Sequence, residues 1–301
     1  MGHSIEKILQ SAREMGQMRS IAVAAAHDEA VLQAVAEAKR QGIAKSVLCG
    51  KETVIREMLE QLGENPSDYT IVPAESDMEC AACAVQAVRE GRADFLMKGL
   101  LGTGTLMRAV VDRENGLRTG RLVSHVMLYE LPEQRLLALS DGGMNTFPDL
   151  SKKAEILENT ARVLRALGYE KLYAACVCGA ETVDPKVQST LDADALAQMT
   201  ERWEPYGMKV FGPVGLDLAL SEEACQHKHY HTEGGGRADI LLVPTYEVGN
   251  GIGKALSLFG GAKNAGIIVG AKVPIVLVSR SDSAESKLAS IALGAVTAGF
   301  V

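Results

Sequence analysis

The feature that most constrains this chain is an alternation of short apolar runs with stretches of helical spacing. Residues 21–26 are apolar; residues 29–40 are helical by period and stop at Gly42. Residues 46–49 form the next apolar run, closed by Gly50, and residues 51–62 are helical again. An extended piece over 69–72, a helical piece over 78–90 and the run Phe95-Leu96-Met97, which ends in Lys98-Gly99, continue the order. A βαβα order buries each strand beneath helices and predicts a parallel, doubly wound sheet. Composition agrees on one point. Apolar residues make up 47% of the chain but aromatics only 4%, so the core is built from Ala, Val, Ile, Leu and Met, as buried parallel sheets are.

The order breaks in the middle. Residues 122–131 and 135–140 read as two extended runs of an antiparallel hairpin joined by Pro132-Glu133-Gln134. The turn Asp141-Gly142-Gly143-Met144-Asn145 follows, then a helix over about 149–167. Alternation resumes with runs at 172–177, 209–211, 240–243, 267–269 and 274–278. A chain of 301 residues holds two domains or one large one. We place the boundary near Asp141, giving a first α/β domain of 1–140 plus 283–301 and a second of 141–282.

Charge and cysteine usage exclude several classes. The net charge of -7 carries no basic nucleic-acid footprint. No run of 18 apolar residues is present, so no membrane span is expected, and the first ten residues lack the apolar core of a signal peptide. The six cysteines, Cys49, Cys80, Cys83, Cys176, Cys178 and Cys225, are expected as free thiols of a reducing cytoplasm. Cys80-x-x-Cys83 lies inside a helical run, which favours burial over a redox or metal role; Cys176 and Cys178 alternate along a strand without a second pair at zinc spacing.

Four segments carry candidate chemistry. Residues 98–108 follow a strand, open a helix and hold Gly99, Gly102 and Gly104 between Lys98 and Arg108. They read either as a tight strand-to-helix turn or as backbone that approaches an anionic ligand. Arg113, Arg118 and Arg121 add charge soon after. Gly249-Asn250-Gly251-Ile252-Gly253-Lys254 invites a P-loop reading, but Ala255 stands where Ser or Thr must hold magnesium, which rejects it. What remains is a glycine-rich backbone against a ligand, or a helix packed closely on a sheet. His227-Lys228-His229-Tyr230-His231 could suggest a metal, yet no Asp or Glu lies within it, and a solvated loop is the expected outcome. His125 fits a core position or a substrate contact equally.

The fourth segment is Pro274 to Ser283, an apolar run that ends in Ser279-Arg280-Ser281-Asp282-Ser283 before a helical pattern. A strand feeding a helix N-terminus is where α/β sheets bind anions, and a guanidinium there matches phosphate with two parallel hydrogen bonds. Asp282 and Glu285 have capping-box spacing, so Asp282 also reads as a helix cap.

Taken together, residues 97–101, 107–110, 116–121, 124–126 and 141–145, then Gly212-Pro213 with Leu216-Asp217, 221–224, 238–244, 261–266 and 279–283, resemble the phosphate acetyl/butyryltransferase family, in order and over nearly the whole chain. The length and the 98–121 block resemble the butyryl branch more closely. The resemblance implies two doubly wound α/β domains with a cleft between them, isocitrate/isopropylmalate dehydrogenase-like, with the C-terminal helix returning to the first domain. It implies transfer of a short acyl group between CoA and phosphate, with coenzyme A as substrate, no metal or other cofactor, and a homodimer or larger homo-oligomer. Ser279 and Arg280 resemble the family's phosphate-contacting pair, and Arg108 an arginine near the substrates; Lys98, Gly99 and Asn264 complete the expected substrate-binding set. The acetyl branch has an acidic residue seven positions after the serine, where this chain has Ser286. Asp282 is therefore the expected base, in competition with its capping role. Two further readings stay open: a metal-dependent NAD(P) dehydrogenase of similar fold, for which no clustered carboxylates are found, and a non-catalytic binding protein on the same scaffold, which the departure at Ser286 keeps open.

Overall fold

A computed structural model describes residues 4–132, 135–277 and 282–300. The chain forms two compact units, one of Ser4–Arg121 with the described residues from Asn264 onward, the other of Leu122–Lys263. The boundary expected at 140/141 falls at the end of a strand inside the second of these, and the one expected at 282/283 falls just before the last helix.

The first unit opens with α1 (Ile5–Glu14), β1 (Arg19–Ala24), α2 (Glu29–Arg40), β2 (Ala44–Gly50), α3 (Glu52–Gln61), β3 (Thr70–Pro73), α4 (Asp77–Arg89), β4 (Phe95–Lys98) and α5 (Thr103–Val110). The starts of α1, α2 and α4 follow side-chain chemistry. The Ser4 hydroxyl accepts from the Lys7 amide, the Asp28 carboxylate from that of Val31, and Ser76 with Glu79 makes a reciprocal capping box on α4. β1, β2 and β4 bury nearly every side chain, as the continuous apolar runs predict, while β3 at the edge of the sheet stays partly exposed.

The second unit comprises β5 (Ser124–Leu131), β6 (Arg135–Ser140), α6 (Leu150–Ala166), β7 (Leu172–Val177), α7 (Gln188–Gln198), α8 (Thr200–Trp203), β8 (Met208–Val214), α9 (Leu216–Leu220), α10 (Glu222–His227), β9 (Ile240–Leu242) and α11 (Tyr246–Leu258). Its strands run in the order β5-β6-β9-β7-β8. The β5–β6 pair is antiparallel and the other neighbours are parallel. The hairpin therefore belongs to this sheet, because Ala138, Leu139 and Ser140 of β6 register on Ile240, Leu241 and Leu242 of β9. Tyr129, Leu139, Phe211 and Leu241 are among the side chains of its core.

The chain then completes the first unit with β10 (Asn264–Val269), β11 (Ile275–Val276) and α12 (Ala284–Thr297). Strand order there is β3-β2-β1-β4-β11-β10. β1, β2, β3, β4 and β11 run parallel, while β10 is antiparallel to β11, a reversal that the apolar runs at 267–269 and 274–278 did not reveal. α12 packs on α1, α2 and β10, and residues 287–297 are buried throughout. It thus returns to the first unit, as the family resemblance implies.

The cysteine expectation is corrected at one pair. Cys49, near the end of β2, and Cys83 of α4 form a disulfide with Cα atoms 6.1 Å apart. α4 packs against β2 and brings the two Cα atoms within the span a disulfide bridges. Cys80, Cys176, Cys178 and Cys225 are free and buried.

Candidate functional site

In the first unit, two predicted site residues, Lys98 and Asn264, lie toward one end of the sheet. Lys98 ends β4, in register with Ala24, the last residue of β1. Val276 of β11 registers on Met97, so the chain leaves β11 beside Lys98. Ile267 of β10 registers on the same Val276, and Asn264, three residues earlier in an antiparallel strand, lies toward that end as well. Carboxyl ends of parallel strands are where α/β sheets bind ligands. Ser279 and Arg280 lie outside the described residues.

The loop after β4 is built by its own backbone. The Lys98 ammonium donates to the carbonyls of Gly99 and Leu101 at 3.1 and 3.2 Å and so braces the turn. The amides of Gly99 and Leu100 donate to the carbonyls of Ala24 and Ala25. A Cβ on Gly99 would stand 2.1 Å from the Ala25 oxygen, so this glycine is required by contact with β1. Gly102 and Gly104 differ: a Cβ on the first would meet only the Thr105 hydroxyl at 3.9 Å, and one on the second would meet nothing within 4 Å. Arg108 is exposed on α5. With Cys83, Gln86 and Met78 of α4, Thr105 of α5 and Asn115, it lines a cavity of about 590 Å³. Arg113 and Arg118 are exposed as well.

The capping expectation for Asp282 is corrected. Ser283 is the cap of α12, its hydroxyl accepting from the Ser286 amide at 3.1 Å. Both side chains suit a cap, and the helix starts one residue later than the Asp282–Glu285 spacing suggests. The Asp282 backbone carbonyl accepts a hydrogen bond from Lys287, whose side chain is buried. Ser286, at the position where the acetyl branch carries an acid, also has its hydroxyl 3.1 Å from that of Ser283.

Sequence reading passed over two side chains here. Lys287 was hidden by the apolar pattern around it. His27 follows β1 at the same sheet end, directly before the Asp28 cap of α2. Burial, and then the nearby Lys51 charge, push its imidazole pKa below the ordinary histidine value. A histidine between an apolar run and a helix cap was the available signal.

In the second unit the Asp141 carboxylate organises the turn after β6. It accepts from the amides of Gly143 and Met144 at 2.8 Å each, from the His125 amide at 3.1 Å and from the Asn145 side chain at 2.7 Å. The Ser140 hydroxyl donates to the His125 carbonyl, and Gly143 lies so close to the His125 ring that a Cβ would reach Cγ at 2.7 Å. His125 is buried in that fold of the backbone. The Gly249–Lys254 segment lies inside α11. Gly249 packs on Gly142, and Gly253 on the Tyr129 hydroxyl, which is the close-packing reading of that motif. His227, His229 and His231 are exposed, while Lys228 pairs with Glu181 and with Asp217. Among the described residues, no group of three or more His, Cys, Asp or Glu could hold a metal ion.

Known proteins resemble this chain over nearly its whole length. The family model described as phosphate acetyl/butaryl transferase matches residues 3–86 and 74–295. A phosphate butyryltransferase of Clostridium acetobutylicum is 44% identical over 284 residues, covering 94% of either chain. A phosphate acetyltransferase of Thermotoga maritima is 40% identical over 295 residues, covering 98% of this chain and 99% of its own. A solved branched-chain phosphotransacylase from Enterococcus faecalis V583 superposes with a TM-score of 0.83 at 34% identity, covering 94% of this chain and all of its own. The chain belongs to the phosphate acetyl/butyryltransferase family.

Proposed function

We propose that this chain moves a short acyl group, butyryl or one of similar length, between CoA and inorganic phosphate. In the direction of acyl-CoA formation, the CoA thiol loses its proton and the thiolate attacks the carbonyl carbon of an acyl phosphate. A carbon–sulfur bond forms, the carbon–oxygen bond to phosphate breaks, and phosphate leaves with the electron pair. Thiolate is the competent nucleophile. Asp282 takes the thiol proton, Ser279 and Arg280 hold the phosphate, and Lys98, Gly99, Arg108 and Asn264 border the substrates. Proton transfer by such a group contributes about 10²–10⁴-fold.

The observation that carries this reading is the register of β11 on β4. It brings the end of β11 beside the end of β4 and Lys98, at the carboxyl end of a parallel sheet, and Ser279 follows three positions after Val276 in the sequence. With Ser283 as the cap of α12, Asp282 is not needed in that role. The likeness to butyryl- and acetyltransferases supports the reaction class, and the resemblance over residues 98–121 favours a four-carbon acyl group. No helix among the described residues is long and apolar enough to cross a membrane. We further propose a cytoplasmic homodimer or larger homo-oligomer, which sedimentation of the purified chain tests.

The reaction is tested by mixing the protein with butyryl-CoA and phosphate and following free thiol, with the acyl phosphate trapped as a hydroxamate. Phosphate-dependent release is expected. Absence of release with acetyl-, propionyl- and butyryl-CoA alike overturns the reading in favour of a binding protein. Asp282→Asn is expected to cut turnover by about 10²-fold or more while thermal stability holds; full turnover removes Asp282 as the base.

A further inference from the structure

We propose that Cys83 is a thiol–disulfide exchange site at which an anionic low-molecular-weight thiol, CoA in the first instance, joins the protein as a mixed disulfide. The two sulfurs of the Cys49–Cys83 bond stand in different surroundings. Cys49 is 0% exposed near the end of β2, whereas Cys83 is partly exposed on α4 and lines the cavity of about 590 Å³ described above. An incoming thiolate therefore reaches Cys83 and not Cys49. Cys80, one turn earlier on α4, is fully buried with its thiol directed to the Ala74 carbonyl, and does not compete.

The cavity suits a thiol at the end of a long, thin arm that carries phosphate. Its walls are largely apolar, from Met78 and Val85 to Ala109, and Arg108 supplies a guanidinium. Exchange needs no outside oxidant. The thiolate of CoA attacks the Cys83 sulfur, the new sulfur–sulfur bond forms as the Cys49–Cys83 bond breaks, and Cys49 leaves with the electron pair and takes a proton. A second CoA thiolate then attacks the CoA sulfur of the mixed disulfide. This releases CoA disulfide and leaves two protein thiols; the reverse sequence, from CoA disulfide, restores the bond. Attack follows access to the sulfur as well as thiolate supply. The choice of CoA rests on the proposed acyl transfer, since that reaction keeps CoA thiol at the protein.

The test uses the full chain. Cys49→Ser protein is incubated with CoA disulfide and examined by intact mass and peptide mapping. One CoA less a hydrogen, attached at Cys83, is expected; no adduct, or an adduct elsewhere, overturns the proposal. Because a change inside β2 could impair folding, the second arm uses the native sequence in its disulfide form. Its reduction is timed with CoA and with pantetheine, which has the same arm without the nucleotide phosphates. CoA is expected to be about tenfold faster, and Arg108→Ala to remove the advantage. Equal rates overturn the proposal. Acyl transfer is measured in parallel: an adduct at Cys83 without acyl transfer contradicts the reaction proposed above and leaves the exchange site standing.

Discussion

Two glycine-rich segments of this chain look alike in sequence and behave differently in the fold. Lys98–Gly104 and Gly249–Lys254 each combine several glycines with a lysine near a helix, and each could be backbone laid against a ligand or backbone laid against protein. In α11 the missing side chains of Gly249 and Gly253 are filled by Gly142 and Tyr129, and Gly251 alone of the three faces open space. In the loop after β4 only Gly99 is filled from within, by β1, while Gly102 and Gly104 face space that the protein leaves open. Glycine density alone therefore carries little information. What matters is whether the absent Cβ points at the chain itself.

That contrast can be broken by substitution. Gly99→Ala drives a Cβ into the rigid Ala25 carbonyl and should cost about 3 kcal/mol or more in chemical denaturation; a loss under about 1 kcal/mol would mean the loop can retreat from β1. Gly249→Ala meets backbone at Gly142 and should cost about 1–3 kcal/mol. Gly253→Ala should cost less than Gly249→Ala, because its nearest neighbour is the hydroxyl end of the Tyr129 side chain and not backbone. Denaturation of both variants side by side checks that order. Ser283→Ala, which removes the cap of α12, is expected to lower stability by about 1 kcal/mol, read as a fall in Tm. An unchanged Tm would return the cap to Asp282.

The smallest effect is the most telling for the comparison. Gly104 lies within α5 with no protein atom in the path of a Cβ, so Gly104→Ala should raise stability by about 0.5 kcal/mol. If the open face of the loop borders substrate, the same variant raises a substrate KM with the fold intact. Normal kinetics would assign this loop the same purely structural role as α11.

The alternation of apolar runs and helical stretches was sufficient to read a doubly wound α/β chain, and the hairpin ending at Ser140 was legible from its extended runs and intervening proline. The sheet partner of that hairpin was not, because register on β9 depends on residues a hundred positions away. The same limit hid the disulfide: Cys49 and Cys83 are 34 residues apart, and all six cysteines were expected as free thiols. At α12 the pattern located the helix but slipped by one residue at its cap, since Asp282 and Ser283 are equally able acceptors and only backbone geometry chooses between them. Lys98 was read as a charge for a ligand; its ammonium also braces the turn through two carbonyls.

The proposed phosphate site follows β11 in the sequence, at Ser279 and Arg280. The phosphate KM of Arg280→Ala in the direction of acyl phosphate formation tests it most directly. Loss of a charge-assisted pair of hydrogen bonds should raise that KM by about tenfold or more. A phosphate dependence unchanged from the native chain would contradict the account and move the phosphate site elsewhere.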